Sequence, residues 1–224
     1  SIIHYNKCLK INPNKFEAYN NLANIYKDQN KNGLAIENYI NCLEINPNYL
    51  IALQNFAVCL QNFKFTKYSY KAEKHIINLL EKNKILRPVD IIISLLSYLY
   101  ANSEFNNMIK NYEELDNIKT FENFLKNFLE FKILIKLLEI TPITDIKIEK
   151  MLRKIRLKFL LNISKFKNKN IATQIIRAIA SQCFINEYIY PISKKEEELL
   201  YKLEMKVNNN IKKNIKKMYL EIAC

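Results

Sequence analysis

The chain has 224 residues, 49% of them hydrophobic and 25% charged, a balance that argues against global disorder. Apolar residues recur at helical spacing almost throughout, and one glycine and five prolines leave few breaks, so we predict an all-α protein. The single glycine, Gly33, argues against a glycine-rich nucleotide loop, whereas the net charge of +13 raises nucleic acid or an anionic surface as a partner.

The chain opens on a helix that already looks like the second half of a hairpin. Three of its residues stand 34 positions before equivalent residues of the next copy, namely Tyr5, Cys8 and Pro13 before Tyr39, Cys42 and Pro47. This spacing predicts an internal repeat, and we expect the missing first helix to lie upstream of Ser1.

Residues 16–49 form the one complete copy, a helix-turn-helix unit of about 34 residues. Eight positions of this copy combine large, small and aromatic side chains in a fixed order. They are the large Tyr19, Leu22, the small Ala23, the aromatic Tyr26, Ala35, the aromatic Tyr39, the small Cys42 and Pro47. Small side chains at Ala23 and Ala35 let two helix backbones approach, and Pro47 ends the second helix. The unit resembles a tetratricopeptide repeat, which implies a solenoid of stacked helical hairpins.

Two further units follow this copy. The unit from Leu50 keeps the pattern but has a longer turn before Ala72 restarts a helix, and the unit at 92–115 is degenerate, with large residues in the small slots. Beyond it the period is lost. We therefore predict a tetratricopeptide-repeat α-solenoid over 1–118, cut short at its N-terminal side, and a non-repeat helical connector domain over 119–224.

In such a stack the first helices of the hairpins line a concave face, which can hold an extended peptide. Seven polar residues are predicted for this peptide-binding groove: Asn20, Asn21, Asn24, Lys27, Gln54, Asn55 and Gln61. Amides offer both a donor and an acceptor, so they can pair with a peptide backbone of any sequence. The alternative is that they are solvated or cap contacts between repeats. Tetratricopeptide clamps for a C-terminal carboxylate carry a lysine at the position of Asn20, and its absence argues against such a clamp.

The connector domain is predicted to contain further helices. They lie at 121–140, ended by Thr141-Pro142; at 145–163, with Asp145 as N-cap; at 171–190; and after a capping box of Ser193 and Glu196, up to about Val207. A last helix is expected after Asn208–Asn210, and we expect the sequence to continue past Cys224.

Basic residues concentrate in the second half of the chain. Residues 147–169 carry nine Lys or Arg against one acid, Glu149. A basic amphipathic helix of this kind can bind nucleic acid or an anionic membrane, or it can pack on a core with its lysines in water. Both interpretations are left open by the residues alone.

The cysteines show no CxxC spacing and are odd in number: Cys8, Cys42, Cys59, Cys183 and Cys224. Cys8 and Cys42 occupy the same small-residue slot, so we predict buried packing residues in a reducing, cytoplasmic setting. The two histidines, His4 and His75, are too distant in sequence to suggest a metal site.

The stretch ASQCFINEYIYP, residues 180–191, is the most distinctive one outside the repeats. Phe184 and Tyr188 share a helix face, and the polar Gln182, Asn186 and Glu187 predict a buried helix with a local hydrogen-bond network. The chain has repeats, then a helical region, then QCFINEYIY and SKKEEELL. This order resembles that of bacterial tetratricopeptide proteins that carry a class I S-adenosylmethionine-dependent methyltransferase domain. The resemblance implies a catalytic domain beyond Cys224 and carries no catalytic or cofactor residue into this chain.

The leading hypothesis is a non-catalytic scaffold segment that binds a protein or peptide for a methyltransferase domain outside this chain. The connector would contact that downstream domain. The alternatives are a stand-alone tetratricopeptide adaptor, or the repeat region of another transferase such as a glycosyl- or sulfotransferase. No cofactor or metal is expected in this chain, and S-adenosylmethionine would belong to the missing domain.

Overall fold

The computed structural model describes residues 2–61, 63–82, 85–114, 118–162, 169–186 and 192–208. Within these ranges the chain forms twelve α-helices, two short 3₁₀ turns and no strand. The predicted all-α class is confirmed. The chain divides into two compact units, Ser1–Asn102 and Ser103–Cys224. The predicted division at residue 118 stays a prediction.

The first unit consists of helical hairpins. Its helices are α1 (Ile2–Ile11), α2 (Phe16–Asp28), α3 (Asn32–Ile45), α4 (Leu50–Gln61), α5 (Tyr70–Glu81) and α6 (Ile92–Tyr100). Helix α2 packs along α3, α3 packs on α4 and α5, and α4 contacts α6. Helix α3 therefore meets both its partner in the same hairpin and the helices of the next one, as neighbouring repeats do.

The α2–α3 hairpin is built around small side chains at its crossing. Ala23 and Ala35 are fully buried, and so is Tyr39, which fills the space beside them. The reversal between the two helices uses Asn30 at φ 57°, a left-handed conformation that asparagine tolerates. The predicted positions of Ala23, Ala35 and Tyr39 in the packing are confirmed, and the turn depends on Asn30 rather than on Gly33.

The long turn after α4 is held against α6 by aromatic residues. The ring of Phe65 meets that of Tyr98 edge-on, with centroids 5.0 Å apart, and its backbone N–H donates to Ser97 Oγ at 2.9 Å. The hydroxyl of Tyr98 donates to the carbonyl of Ser69 at 2.8 Å. Within this turn, Phe65 and Ser69 are therefore tied to α6.

The second unit contains the other six described helices. Its helices are α7 (Ser103–Asn111), α8 (Ile118–Glu130), α9 (Lys132–Ile140), α10 (Ile146–Asn162), α11 (Lys169–Ile185) and α12 (Lys194–Asn208). Helix α11 packs against α8 and α9, and α10 packs against α7, α11 and α12. Phenylalanine rings fill the core, including Phe121 and Phe159, whose centroids lie 5.3 Å apart.

The single helix predicted over 121–140 is wrong. The helix breaks at Phe131, which has φ −82° and ψ 68° and precedes α9. The break has a packing cause, because the apolar stripe of α8 ends at Phe128 and the stripe of α9 starts at Ile133. Five positions advance a helix by about 500°, so a continuous helix would point these stripes about 140° apart.

Two predicted helix starts are confirmed. The carboxylate of Asp145 accepts hydrogen bonds from the backbone N–H groups of Lys147 and Ile148, at 2.9 and 3.0 Å. Ser193 and Glu196 form the reciprocal capping box: the backbone N–H of Ser193 donates to Glu196 Oε2 at 2.8 Å, and that of Glu196 donates to Ser193 Oγ at 3.3 Å. The last predicted helix, after Asn208, lies outside the described residues.

Candidate functional site

The seven predicted groove residues lie on two helices of the first unit. Helix α2 carries Asn20, Asn21, Asn24 and Lys27, and helix α4 carries Gln54, Asn55 and Gln61. The two helices are in contact. The predicted role of these residues in ligand binding stays a prediction, but their surroundings differ sharply.

Three of the seven residues form hydrogen bonds from one helix to another. Asn24 Oδ1 accepts from the hydroxyl of Tyr39 at 2.6 Å, which ties α2 to α3. Lys27 Nζ donates to Asn55 Oδ1 at 3.1 Å, which ties α2 to α4. These contacts agree with the structural alternative, in which polar groups cap contacts within and between repeats.

Asn20 is the most enclosed of the set, with 4% of its surface exposed. Its side-chain amide lies 3.5 Å from Asn21 Oδ1, at the limit of a hydrogen bond, and its own Oδ1 has no partner among the described residues. Asn21 is half-buried beside it. This pair therefore offers little surface to a ligand.

Gln54 and Gln61 are exposed and line an open cleft of about 550 Å³. One wall is the outer face of α4, and the other is the segment that leads into α6. The lining residues are Gln54, Ala57, Val58, Gln61, Ile85, Leu86, Arg87 and Asp90. Two of these lining residues, Arg87 and Asp90, are joined by two hydrogen bonds of 2.9 and 3.1 Å.

Sequence reasoning missed the apolar part of this cleft. Val58 is 52% exposed although it belongs to a strongly apolar helix. It lies four positions after Gln54 and three before Gln61, so helical spacing alone places the three on one face. The segment at 85–90 gave no signal in the sequence, because its approach to α4 depends on the tertiary fold.

The cysteines of the described residues have free thiols. Cys42, Cys59 and Cys183 are buried, as predicted, whereas Cys8 is only half-buried, because α1 buries no residue against the rest of the unit. Burial raises the pKa of Cys42 to about 12 and that of Cys59 to about 11. Both thiols are therefore protonated at neutral pH and serve in packing.

The basic helix α10 packs as an amphipathic helix. Its apolar stripe of Ile148, Met151, Leu152, Ile155 and Phe159 is buried. One of its basic residues, Arg156, is buried as well and donates from Nε to Glu196 Oε1 at 3.0 Å. Binding of an anionic partner through 147–169 stays a prediction, and residues 163–168 lie outside the described ranges.

Within the stretch at 180–191, the predicted hydrogen-bond network is confirmed at Gln182. This side chain is fully buried: its Oε1 accepts from the backbone N–H of Ile143 at 2.8 Å, and its Nε2 donates to the carbonyl of Thr141 at 3.0 Å. Phe184 is 70% exposed. Its predicted neighbour Tyr188 lies outside the described residues.

The described residues form neither a transmembrane helix nor a metal site. None of their helices has the length and apolarity required to cross a membrane. In the same ranges, no group of three or more His, Cys, Asp or Glu residues is placed to hold a metal ion.

The first unit contains packed helix pairs, and one of them is the α2–α3 hairpin. Residues 16–49 match the family model of the tetratricopeptide repeat, with the bounds that the sequence pattern predicts. No curated protein and no solved structure matches the chain. The chain thus contains a tetratricopeptide repeat in an all-α protein, and such repeats generally bind proteins or peptides.

Proposed function

We propose that the first unit is a scaffold that binds an extended segment of a protein partner in the cleft beside α4. The observation that carries this proposal is Val58, an exposed apolar side chain that lies between the exposed amides of Gln54 and Gln61. An apolar contact flanked by amides is the arrangement needed to bind a peptide by one side chain and by its backbone.

Each wall of the cleft has a separate part in this binding. The amides of Gln54 and Gln61 can donate to and accept from main-chain groups of the ligand. Val58 on α4 faces Ile85 and Leu86, so an apolar side chain of the ligand would be covered from two sides. The ion pair of Arg87 with Asp90 neutralises both charges in the lining of the cleft, which favours a ligand with an uncharged segment beside this pair.

The predicted groove residues on α2 contribute mainly by positioning the helices that α2 contacts. The bond from Lys27 to Asn55 joins α2 to α4, and the bond from Tyr39 to Asn24 joins α3 to α2. The first bond ties the face of α4 to the preceding hairpin, and the second joins the two helices within that hairpin. Rigid placement of a binding face reduces the ordering cost that binding would otherwise carry.

The proposal is tested with peptides selected from a random displayed library on the intact protein. The dissociation constants of the selected peptides are then measured by fluorescence polarisation against Val58→Asp and against a Gln54→Ala, Gln61→Ala double variant. We expect each variant to bind at least about tenfold more weakly, since each loses the apolar contact or several hydrogen bonds.

Leu34→Asp is the matched control, because Leu34 is an exposed apolar residue of α3 that does not line the cleft. It should leave the dissociation constant unchanged. Equal binding of the selected peptides to the wild type, the cleft variants and the control would refute the proposal.

A second proposal is that a methyltransferase domain is attached to this scaffold. It rests on the resemblance of QCFINEYIY, and the burial of Gln182 explains part of that stretch by packing alone. The alternatives of a stand-alone adaptor or another transferase stand beside it. Reading the coding sequence past Cys224 separates them: a strand with a glycine-rich turn favours the methyltransferase, and a nearby stop codon refutes it.

A cytoplasmic location is likewise a proposal. It is supported by the free thiols at Cys8, Cys42, Cys59 and Cys183, because disulfides are uncommon in a reducing compartment. Fractionation of cells that express the untagged protein would test it directly.

A further inference from the structure

A second cleft, of about 650 Å³, lies between α7 and α8 in the second unit. It was not detected from the sequence pattern. Its lining residues are Glu104, Asn107, Met108, Asn111, Thr120, Asn123, Phe124, Asn127, Glu130 and Phe131. Four asparagines, two from each helix, make this cleft unusually rich in amides.

The two helices run in opposite directions along the cleft. The ring of Phe105, near the start of α7, meets the ring of Phe131, just past the end of α8, with centroids 5.2 Å apart and an angle of 76° between the planes. The start of α7 therefore lies beside the end of α8. Glu104 and Glu130 are accordingly at the same end of the cleft.

The asparagines of each wall are spaced by one helical turn. Asn107 and Asn111 are four residues apart on α7, and Asn123 and Asn127 are four residues apart on α8. All four are exposed. Four helical residues advance about 6 Å along the axis, and two residues of an extended peptide advance about 6.7 Å. Each wall thus presents amides at nearly the repeat of an extended backbone.

The floor of the cleft is apolar and well packed. Met108 and Phe124 are buried, with 7% and 8% of their surfaces exposed, and Phe131 is half-buried against Phe105. The small exposed parts of these side chains can make van der Waals contact with a ligand without disturbing the core. A ligand on this floor would have apolar atoms below it and amides on both sides.

The charge of the cleft is opposite to that of the protein. The chain carries a net charge of +13, yet the described lining residues include two glutamates and no lysine or arginine. Exposed lysines of the same helices, such as Lys110 and Lys126, are not part of the lining. The exposed carboxylate of Glu130 favours a cationic group at its end of the cleft and disfavours polyanions.

We infer that the α7–α8 cleft binds an extended peptide segment of a protein partner, with its main chain held between Asn107, Asn111, Asn123 and Asn127 and a Lys or Arg side chain at the Glu104 and Glu130 end. This site is separate from the cleft beside α4 and does not depend on its function. The cation would add salt-sensitive attraction to hydrogen bonds that are independent of sequence.

The experiment selects nine-residue peptides from a random displayed library on the intact protein, in parallel with the variant Asn123→Ala, Asn127→Ala. The variant keeps its fold, because alanine is a better helix former than asparagine at an exposed position. Peptides enriched on the wild type but not on the variant are synthesised with a fluorescent label, with and without N-methyl groups on alternate backbone nitrogens. Lys126→Ala is the matched control on the same helix.

Enriched peptides are expected to carry Lys or Arg near one end. Their dissociation constants should rise at least about tenfold with the asparagine variant and severalfold with Glu130→Gln. They should not change with Lys126→Ala, or with Glu139→Gln, which alters an exposed glutamate of α9 outside the cleft. Backbone N-methylation should abolish binding, because it removes the peptide N–H groups that would donate to the side-chain oxygens of the asparagines. Raising the salt concentration should weaken binding of the basic peptides.

Any of three results would overturn the inference. The first is no enrichment of peptides on the wild type relative to the asparagine variant. The second is enrichment without basic residues, or binding that survives N-methylation. The third is binding of a maltoheptaose probe that the asparagine variant abolishes, which would identify the cleft as a carbohydrate site.

Discussion

Arg156 on α10 and Glu196 on α12 form a buried ion pair, with Nε 3.0 Å from Oε1 and only 4% and 5% of the two side chains exposed. The other carboxylate oxygen of Glu196 accepts from the backbone N–H and the hydroxyl of Ser193, at 2.8 and 2.9 Å. One carboxylate therefore pairs with α10 and caps α12 at the same time.

The ionisation of Glu196 follows from these contacts. Burial opposes its charge, but the backbone N–H of Ser193 and the guanidinium of Arg156 outweigh burial and hold the pKa of Glu196 below its usual value. A carboxyl group whose pKa is lower in the folded state than in the unfolded state stabilises the fold. This stabilisation is fully present above the unfolded-state pKa and is lost as the pH falls through the folded-state pKa.

Glu196→Ala should lower the free energy of unfolding by about 3–5 kcal/mol, because it leaves the buried charge of Arg156 without a partner and removes a cap. The measurement is urea denaturation followed by circular dichroism at pH 7. Glu197→Ala, at the exposed neighbouring position, is the control and should change stability by less than about 0.5 kcal/mol. Equal losses for the two variants would contradict the role of the ion pair.

Gln182→Leu should lower the free energy of unfolding by about 2–4 kcal/mol, because it leaves the backbone N–H of Ile143 and the carbonyl of Thr141 buried without their partner. Both groups lie in the connection between α9 and α10. Hydrogen exchange at Ile143 should accelerate in the variant. The exposed Gln174 on α11 provides the control, and a Gln174→Leu protein that lost as much stability would show that the buried bonds are not the cause.

Acidification should destabilise the first unit through His75. This residue is fully buried on α5, its Nε2 donates to Glu44 Oε1 on α3 at 2.6 Å, and burial lowers its pKa, against the opposing effect of Glu44 and with a smaller lowering effect of Lys74. The folded state then binds fewer protons than the unfolded state. The contribution of neutral His75 to the stability of the fold is complete above about pH 6.5 and is lost as the pH falls below that value.

The prediction is tested by thermal unfolding between pH 7.5 and 5.5. The Tm of the wild type should fall more steeply with pH than that of His75→Gln, which cannot take up the proton. His4→Gln replaces an exposed histidine of α1 and should keep the slope of the wild type. Parallel slopes for the wild type and His75→Gln would refute the assignment.

Part of the second unit could have been predicted better from the sequence. The buried positions of α8 end at Phe128 and those of α9 begin at Ile133, and this change of phase is visible without a structure. Hydrophobic periodicity therefore contained the break at Phe131, although neither proline nor glycine marks it. Capping signals were more reliable, because Asp145 and Ser193 act on backbone groups within three residues of themselves.

The amide-rich clefts show where sequence reasoning stops. Asn24 and Asn123 are both asparagines on amphipathic helices, but Asn24 is bonded to Tyr39, whereas Asn123 lines an open cleft. Polarity and helical spacing place such residues on a helix face. They do not say which residue of another helix lies within hydrogen-bonding distance.

The sequence by itself determined the tetratricopeptide unit at 16–49, since its period, its small residues at Ala23 and Ala35 and its terminal proline are local constraints on two adjacent helices. Only the tertiary structure decided which polar side chains are used internally and which face a cleft. The physical reason is that a hydrogen bond requires approach to about 3 Å, and the approach of α7 to α8, or of residues 85–90 to α4, depends on the packing of the whole unit.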